Sequence, residues 1–501
     1  MNIGLKIKEF IAKTHTPVWL TVLLGIVLLL RIPSFFEPFS YGDEMIYLTL
    51  GEGIRQGATL YKEVYDNKPP LLYLLAALAG NIFWFKAILA FWNVATIILF
   101  WKLSSALFPN KEKLQKASTV IFALLTTLPL LEGNIVNSEI LMIGPIIAAF
   151  VILFTKKLDF KNIFLSGTLF GLATLFKVPA AFDLPVIVVY WLVTAGLKKD
   201  DLKITLRRSL YLSLGFLAPI GLSLVWFFFV GALGDYVRAA FLQNIGYLSS
   251  WRPGDIAKPF LLRNLPLLIR ASVVLLGAVI LFLKRKALSH QFIFLTLWLL
   301  FGLFAVALSE RPYPHYLIQV VPAVSLLLAI LVTEKTVEQS LTIIPLFLAI
   351  LVPVYYKFWY NSTNAYYLRF LRFSVGQVSR EGYLASFGQR VPTHYKIANF
   401  VTSSSRPNEK IFVWGPDSST VYALSRRLPP TKYVADYHIN DFSTKKLEVE
   451  KLTQNPPKFI IILPDAKGFS ELTPLLRKSY MLISEIDGAE IWRLSGSFKP
   501  L

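Results

Sequence analysis

The chain has 501 residues, of which 55% are hydrophobic and 16% are charged, and its formal net charge is +20. This composition excludes an ordinary soluble enzyme and indicates a polytopic membrane protein. Cysteine is absent, which excludes disulfides, thiolate nucleophiles and cysteine-based zinc sites. Lys and Arg fall mostly in short runs between apolar segments, which favours membrane orientation and contact with anionic lipid over nucleic-acid binding.

The first apolar run covers about 17–35 and follows the lysines Lys6, Lys8 and Lys13. No small-residue cleavage site follows Leu30, and many further apolar runs do, so we interpret this run as a retained signal-anchor helix. Its basic flank predicts a cytoplasmic amino terminus, which places the next loop outside the cytoplasm.

The outer loop 36–83 is predicted to be catalytic. It holds the adjacent acids Asp43 and Glu44, and Lys68 stands directly before two prolines. An acidic pair at the membrane rim and a lysine beside stiff prolines can place a base near an anion. Asp43 and Glu44 also open a predicted helix to about Arg55, so capping is an alternative role, and Lys68 can instead snorkel to water.

The remaining apolar runs predict about eleven transmembrane helices in total. The run at 70–82 is too short to cross ~30 Å of hydrocarbon, so we place it as a short helix at the outer surface. The positive-inside rule then gives a consistent alternation with the carboxy-terminal region outside. The predicted spans after the first are 84–107, 117–133, 138–155, 162–176, 179–197, 209–231, 264–283, 290–308, 313–332 and 340–357.

This topology puts further polar residues at the same outer boundary as the catalytic loop. Glu139 begins a span and is either a helix cap or a functional acid. Lys177 lies between two apolar helices, where an ammonium needs a phosphate or carboxylate partner. His315, which follows Arg311 and precedes Tyr316, can be a metal ligand, a phosphate donor or a hydrogen-bonded loop histidine.

The region 358–501 is more polar and predicts a small α/β domain outside the membrane. Strand-like runs occur at 410–414, 459–463 and 490–494, and helical patterns lie between them near 394–404, 417–425 and 443–453. We expect this domain to contact the acceptor or to pack on the outer face. The aromatic-rich loop 232–262 either covers the site or lies in the membrane interface.

An ordered set of motifs resembles the group of dolichyl-phosphate-mannose protein mannosyltransferases and aminoarabinose transferases, and in particular its bacterial members. These are GT-C glycosyltransferases, and the resemblance covers about residues 15–335. The motifs are Asp43-Glu44, G-x-x-x-Y at Gly57 to Tyr61, Asp66-Asn67-Lys68-Pro69-Pro70, Asn137-Ser138-Glu139, G-x-x-x-G-L-A-x-x-x-K from Gly167 to Lys177, and Arg311-Pro312-Tyr313-Pro314-His315-Tyr316.

The resemblance implies a GT-C fold in residues 1–357 and transfer of a sugar from a polyprenyl phosphate to an acceptor hydroxyl, with inversion, on the outer face of the cell membrane. Asp43 would be the general base, with Glu44 and Glu139 assisting or binding a divalent cation such as Mg²⁺ or Mn²⁺. The residues that would neutralise the departing lipid phosphate are Lys68, Lys177, Arg311, His315 and Tyr316.

One departure from the family pattern concerns a metal site. The aminoarabinose enzymes have a glutamate just before the loop lysine, and here the residue is Asn67. The acceptor stays open among a lipid, a glycan and a protein. A transporter or lipid-linked saccharide flippase is the alternative, although it would place ionisable groups near the bilayer midplane. A membrane scaffold or sensor would tolerate changes at the residues named above.

Overall fold

The computed structural model describes residues 17–195, 198–246 and 258–497, and it is mostly helical. The chain divides into two compact units. The first unit comprises residues 1–35, 86–222 and 245–363, and the second comprises 36–85, 223–244 and 364–501. The amino-terminal lysines and the middle of the loop 232–262 lie outside the described residues.

The first unit consists of apolar helices. Within the described residues, eight helical segments are long and apolar enough to cross a membrane, which confirms the predicted class of protein. The helices that lie wholly or mainly in this unit are Val18–Arg31, Ile82–Leu107, Glu112–Thr127, Ser138–Thr155, Phe160–Thr174, Leu184–Ala195, Lys199–Phe229, Phe260–Lys284, His290–Ala307, Val321–Thr333, Val337–Leu341 and Ile343–Tyr355.

Three of the eleven predicted spans form helices that are shorter than the bilayer core requires. These helices are Glu112–Thr127, Phe160–Thr174 and Val321–Thr333, with 16, 15 and 13 residues. At 1.5 Å per residue they extend about 20–24 Å, against a hydrocarbon core of ~30 Å. Eight of the predicted spans therefore have the length of a full crossing, and the count of eleven stays a prediction.

The glycines before Lys177 allow two helices of the first unit to approach closely. Gly167 and Gly171 lie on helix Phe160–Thr174, where a Cβ at either position would collide with backbone atoms of helix Lys199–Phe229. Gly215 makes the reciprocal approach to Phe164. Small residues at four-residue spacing permit this kind of backbone contact between membrane helices.

The second unit combines the predicted catalytic loop with the carboxy-terminal region. Its four strands are β1 (Ile411–Trp414), β2 (Phe459–Ile462), β3 (Tyr480–Ile486) and β4 (Ala489–Leu494). Its α-helices in the carboxy-terminal region are Thr363–Ser374, Arg380–Ala385, Val391–Ser404, Ser418–Ser425, Asp436–Phe442, Lys445–Gln454 and Thr473–Ser479. The first residue of the first of these helices, Thr363, is assigned to the first unit. The unit also contains the helices Gly42–Arg55, Leu71–Ala79 and Leu233–Val237 from earlier in the chain.

The four strands form one mixed sheet in the order β1-β2-β4-β3. Strands β1 and β2 are parallel, whereas β4 pairs antiparallel with both β2 and β3. The three predicted strands are present as β1, β2 and β4, and the predicted α/β class is confirmed. Strand β3 was not predicted because it is a largely exposed edge strand without a regular apolar alternation.

The predicted catalytic loop is built from two helices that pack tightly on each other. Helix Gly42–Arg55 begins where the sequence predicts, and helix Leu71–Ala79 has only nine residues. At their crossing, a Cβ on Gly51 would lie 2.6 Å from the backbone nitrogen of Ala77. Only glycine at this position allows such an approach.

The loop also makes direct hydrogen bonds to the carboxy-terminal part of its own unit. The amide of Tyr65 donates to the carbonyl of Lys432 at 2.9 Å, and the hydroxyl of Thr49 donates to the carbonyl of Ser419 at 3.3 Å. The guanidinium of Arg426 donates to the carbonyl of Gly80 at 3.2 Å. The loop is therefore held by the domain that follows it by more than 300 residues, while a domain boundary between 357 and 358 stays a prediction.

Candidate functional site

The predicted loop residues meet in one cluster of the second unit. Lys68 places its Nζ 3.5 Å from Oδ2 of Asp43 and 3.6 Å from Oδ2 of Asp66. The same ammonium lies 4.9 Å from the centre of the Tyr47 ring, whose hydroxyl donates to Asp43 at 2.8 Å. One cation therefore serves two carboxylates, and we call these residues, together with Tyr73 and His438, the loop cluster.

Asp66 is the anchor of the loop cluster. Its carboxylate accepts from the Tyr73 hydroxyl and the Asn67 amide, both at 2.8 Å, and Nε2 of His438 lies 3.4 Å from Oδ1. Burial alone would raise the pKa of this carboxyl, but the charge on Lys68 and the hydrogen bonds from His438 and Tyr73 hold the pKa well below its usual value. Asp66 is therefore a fixed negative charge.

Two tyrosines that contact the acids remain neutral donors. Burial raises the pKa of Tyr47 and of Tyr73 well above the usual value, and the nearby carboxylates raise both further. Tyr73 also accepts from the Lys68 amide at 3.1 Å, and Tyr61 donates to the Lys68 carbonyl at 2.8 Å. The backbone on both sides of the lysine is therefore fixed by aromatic hydroxyls.

Exposure separates the roles that the two carboxylates can take. The side chain of Asp43 is 32% exposed, whereas that of Asp66 is 2% exposed. Only the former can meet a substrate atom without rearrangement of the loop. Glu44 is in the first turn of the same helix and is buried. The helix is capped by Tyr41 without a side-chain hydrogen bond, so neither acid is the capping residue itself.

A second group of predicted residues meets in the first unit. Lys177 forms an ion pair with Glu139, and its Nζ lies 3.9 Å from the centre of the Tyr316 ring. His315 lies between two acids, since its Nδ1 pairs with Glu132 and its Nε2 is 3.8 Å from Glu139. We call these five residues the Lys177 cluster.

The geometry bears on two alternatives that the sequence left open. The cap of helix Ser138–Thr155 is Asn137, whose side chain accepts from the amide of Ile140 at 3.2 Å, so Glu139 is not the cap. Lys177 has a carboxylate partner in Glu139, which lies 38 positions before it. The pattern predicted that a partner exists, and folding selected which one.

Glu132 is a member of the Lys177 cluster that sequence reasoning missed. It adopts a left-handed conformation with φ of 58° and is 0% exposed. The following carbonyls are held by buried cations, because Arg31 donates to Gly133 at 3.1 Å and Lys86 donates to Asn134 at 2.9 Å. The sequence signal that could have found it was an acid in the segment 129–137, which separates two apolar helices.

Asp183 was also missed. It ends the short helix Val178–Asp183 that follows Lys177 directly, and it accepts from Trp298 at 2.7 Å and from Gln319 at 2.8 Å. These bonds tie the turn after Lys177 to two later helical segments. A lone carboxylate that opens an otherwise apolar run was the available sequence signal.

The eight predicted site residues therefore divide between the two units. Asp43, Glu44 and Lys68 belong to the second unit, and the other five belong to the first. Arg311 is exposed, whereas His315 four positions later is buried. The shared depth that the sequence predicts for all eight stays a prediction. The residues of the first unit are Glu139, Lys177, Arg311, His315 and Tyr316.

A divalent cation finds no ligand set in the described part of the chain. Within residues 17–195, 198–246 and 258–497, no group of three or more His, Asp or Glu side chains could hold a metal ion. The two acids of the Lys177 cluster already have partners, because Glu139 pairs with Lys177 and Glu132 pairs with His315. Asn67 supplies no carboxylate at the position where the aminoarabinose enzymes have one.

Comparison with known proteins gives one family match and several structural matches. Residues 393–491 match the family described as the putative competence-induced protein Ccs4 C-terminal domain. No curated protein matches the chain. The match to Ccs4 covers only the carboxy-terminal part, so it describes this domain and not the whole chain.

The structural matches extend over most of the chain. ArnT from Cupriavidus metallidurans bound to undecaprenyl phosphate is 15% identical, with a TM-score of 0.56 over 96% of this chain and 99% of that chain. The apo state of the same enzyme is 14% identical, with a TM-score of 0.56 over 98% and 100%. The Archaeoglobus fulgidus oligosaccharyltransferase matches at 14% identity and a TM-score of 0.42 over 89% and 70%. The chain therefore shares its overall fold with ArnT.

Proposed function

We propose that this protein is a membrane glycosyltransferase that transfers a sugar from a polyprenyl phosphate to an acceptor hydroxyl on the outer face of the membrane, with inversion. The observation that carries the proposal is the Asp43–Lys68 ion pair in the loop after the first apolar helix. That loop belongs to a fold shared over 96% of this chain with ArnT, which has been crystallised with undecaprenyl phosphate.

Asp43 is the general base in this proposal. Its carboxylate accepts the proton of the acceptor hydroxyl as that oxygen attacks the anomeric carbon from the face opposite the phosphate. The bond between the anomeric carbon and the phosphate oxygen breaks, and its electron pair leaves with polyprenyl phosphate. Tyr47 and Lys68 hold the carboxylate, so the base does not have to be reoriented during the reaction.

Lys68 has a second role on the leaving group. Negative charge develops on the phosphate as the bond breaks, and a fixed ammonium at that point stabilises the transition state more than the ground state. Asp66, which is buried, helps to keep this ammonium in place. The lysine is 20% exposed, which lets it reach a phosphate oxygen as well as its two acids.

The Lys177 cluster is assigned to the donor phosphate by the family pattern, with Arg311 as a further cation. The ammonium of Lys177 has three N–H donors. Glu139 accepts a hydrogen bond from one of them, and the ammonium lies over the face of the Tyr316 ring. A phosphate oxygen can take another donor. Glu139 and Glu132 keep Lys177 and His315 oriented, and Glu44 assists Asp43.

The test is sugar transfer by the purified full chain in lipid nanodiscs. Radiolabelled polyprenyl-phosphate sugars are supplied with membrane extract as the source of acceptor, and wild type is compared with Asp43→Asn. Removal of a general base lowers the rate by roughly 10²–10⁴-fold. Glu52→Gln on the same helix is the matched control and should keep wild-type activity.

Two outcomes would overturn the proposal. Transfer that is unchanged in Asp43→Asn would remove the base assignment. If the full chain in sealed proteoliposomes moves a labelled donor across the bilayer unchanged, and no sugar is transferred under any acceptor condition, the flippase alternative is favoured. Inversion is checked on the product by the anomeric proton coupling constant.

A further inference from the structure

A polar cavity of about 520 Å³ lies in the second unit, at the end of the sheet where strands β1 and β2 finish. Its lining includes the charged and polar residues Arg390, His394, Asp417, Asp465 and Asp487. The volume is within the range of ~300–1,000 Å³ that is typical of small-molecule sites. None of these residues belongs to the loop cluster or to the Lys177 cluster.

The topology of the sheet explains why three acids meet at this end of it. Asp417 and Asp465 follow β1 and β2, which are parallel, so their carboxyl ends lie side by side. Asp487 is in the turn before β4, which starts opposite the end of β2. Ligands of open α/β sheets commonly bind at the carboxyl ends of the strands.

All three acids have left-handed backbone conformations, with φ of 57°, 61° and 49° in chain order. Non-glycine residues adopt this region uncommonly, and Asp is among those that tolerate it. Each of the three turns therefore contains an aspartate with positive φ at the same end of the sheet. The residues are Asp417, Asp465 and Asp487.

The charges around the cavity nearly cancel. Arg390 donates to Asp465 at 2.7 Å, and Lys396, which is not itself a lining residue, donates to Asp487 at 2.9 Å. Thr393 also donates to Asp487, at 3.0 Å. Two of the three acids are therefore balanced by cations, and Asp417 adds one negative charge. Such a balance suits a neutral ligand better than a phosphate or a polyamine.

His394 supplies an independent sign of a ligand. It lines the cavity, is 2% exposed, and its Nε2 has no hydrogen-bond partner. Burial lowers the pKa of this imidazole, so at neutral pH it is an uncharged ring with an unmet hydrogen bond. A hydroxyl group, which both donates and accepts, can satisfy either nitrogen.

The cavity is also close in sequence to the proposed base. Ser40 lines it, and Asp43 follows three residues later. Three residues span at most about 11 Å even when fully extended. The preceding backbone is fixed, because the Phe39 amide donates to the Tyr395 hydroxyl at 3.1 Å. A ligand larger than one ring can therefore lie in the cavity and still extend toward the carboxylate.

We propose that this cavity binds a neutral saccharide that forms part of the acceptor. Carboxylate, guanidinium, imidazole and hydroxyl side chains would pair with the sugar hydroxyls, and the hydroxyl to be glycosylated would extend toward Asp43. The site assignment rests on the geometry of the cavity, and its role as acceptor site rests on the glycosyltransferase function proposed above.

Direct binding tests the site without requiring turnover. The full chain is placed in nanodiscs without maltoside detergent, whose headgroup is itself a saccharide. Cellobiose, lactose, maltose and N,N′-diacetylchitobiose are titrated by saturation-transfer NMR and calorimetry, with inorganic phosphate and spermidine as charged probes. Asp417→Asn is the main variant, because Asn also tolerates the left-handed conformation. Glu450→Gln, an exposed acid outside the cavity, is the matched control.

The expected result is millimolar or tighter binding of at least one disaccharide, weakened at least tenfold by Asp417→Asn and by His394→Gln but not by Glu450→Gln. Asp43→Asn should bind the saccharide as wild type does even though it does not transfer. Absence of saccharide binding in wild type, or binding of phosphate or spermidine alone, overturns the inference. Saccharide binding in a protein that transfers no sugar keeps the site and defeats only the proposed enzyme function.

Discussion

The carboxylate of Asp66 is expected to hold the predicted catalytic loop in place, and Asp66→Asn tests this. The substitution keeps the shape but removes the charge that faces Lys68 at 3.6 Å and His438 at 3.4 Å. It also turns one oxygen into an amide nitrogen, although both oxygens accept hydrogen bonds at 2.8 Å, from Tyr73 and Asn67. At least one buried donor then loses its acceptor.

The size of the effect follows from the burial of the pair. Breaking a buried ion pair by removing one partner costs about 3–5 kcal/mol, because the other charge is left uncompensated. We expect a value near the lower end, because Lys68 is 20% exposed and keeps Asp43 as a partner. At about 1.4 kcal/mol per factor of ten, amides of the loop should exchange roughly 10²-fold faster.

Hydrogen exchange by mass spectrometry on the full chain in nanodiscs measures this opening. The most direct probe is the peptide that contains Tyr65, whose amide donates to the carbonyl of Lys432. Glu450→Gln again serves as the control in the same unit. If exchange at Tyr65 is the same in Asp66→Asn and wild type, the carboxylate does not hold the loop and the reasoning fails.

The pH dependence gives a second readout with a fixed sign. The pKa of Asp66 is depressed in the folded protein, so its stabilisation is fully present above the unfolded value of about 3.9 and is lost as pH falls toward the folded value. The difference between wild type and Asp66→Asn should be constant from pH 7 to about pH 5 and should shrink below about pH 4. A difference that persists unchanged at pH 3 would contradict the assigned pKa direction.

Three further predictions concern other parts of the chain. Gly51→Ala should destabilise the loop by about 1–3 kcal/mol through overpacking, seen as faster hydrogen exchange in helix Gly42–Arg55, and unchanged exchange there would contradict it. Lys177→Gln should raise the KM for the polyprenyl-phosphate donor by roughly 10–100-fold, the value of a charge-assisted hydrogen bond, and an unchanged KM would remove its phosphate role. Single cysteines at Ser40 and Ser403 should react with an impermeant maleimide in intact cells, whereas one at Lys113 should react only after permeabilisation, and the reverse pattern would overturn the topology.

Much of the architecture was predictable because it depends on short-range properties. Hydropathy identifies a membrane helix without knowledge of its neighbours, since each helix satisfies its own backbone hydrogen bonds in lipid. Helix Gly42–Arg55 and strands β1, β2 and β4 were predicted for a similar reason, because an acidic helix start and a short strand-like run are local patterns. The exposed edge strand β3 has no such pattern, and it was missed.

Side-chain partners were less predictable, and the reason is distance along the chain. The sequence indicates that Lys177 needs an anionic partner, but several acids could have supplied it. Asp66 was visible next to Lys68, yet its function depends on His438, which is 372 positions away. No local pattern distinguishes that histidine from one that lies on the surface.

From the residues alone, the chain was bound to be a multi-helix membrane protein with an acidic loop after its first span and a small α/β domain at the end, because burial of apolar length in lipid and strand alternation act over a few residues. Only the tertiary structure decided that the loop and the carboxy-terminal domain form one compact unit, with Asp66 meeting His438 and three turns meeting around one cavity. Such contacts depend on which surfaces pack together, and the free energy of that packing is shared among residues from the whole chain.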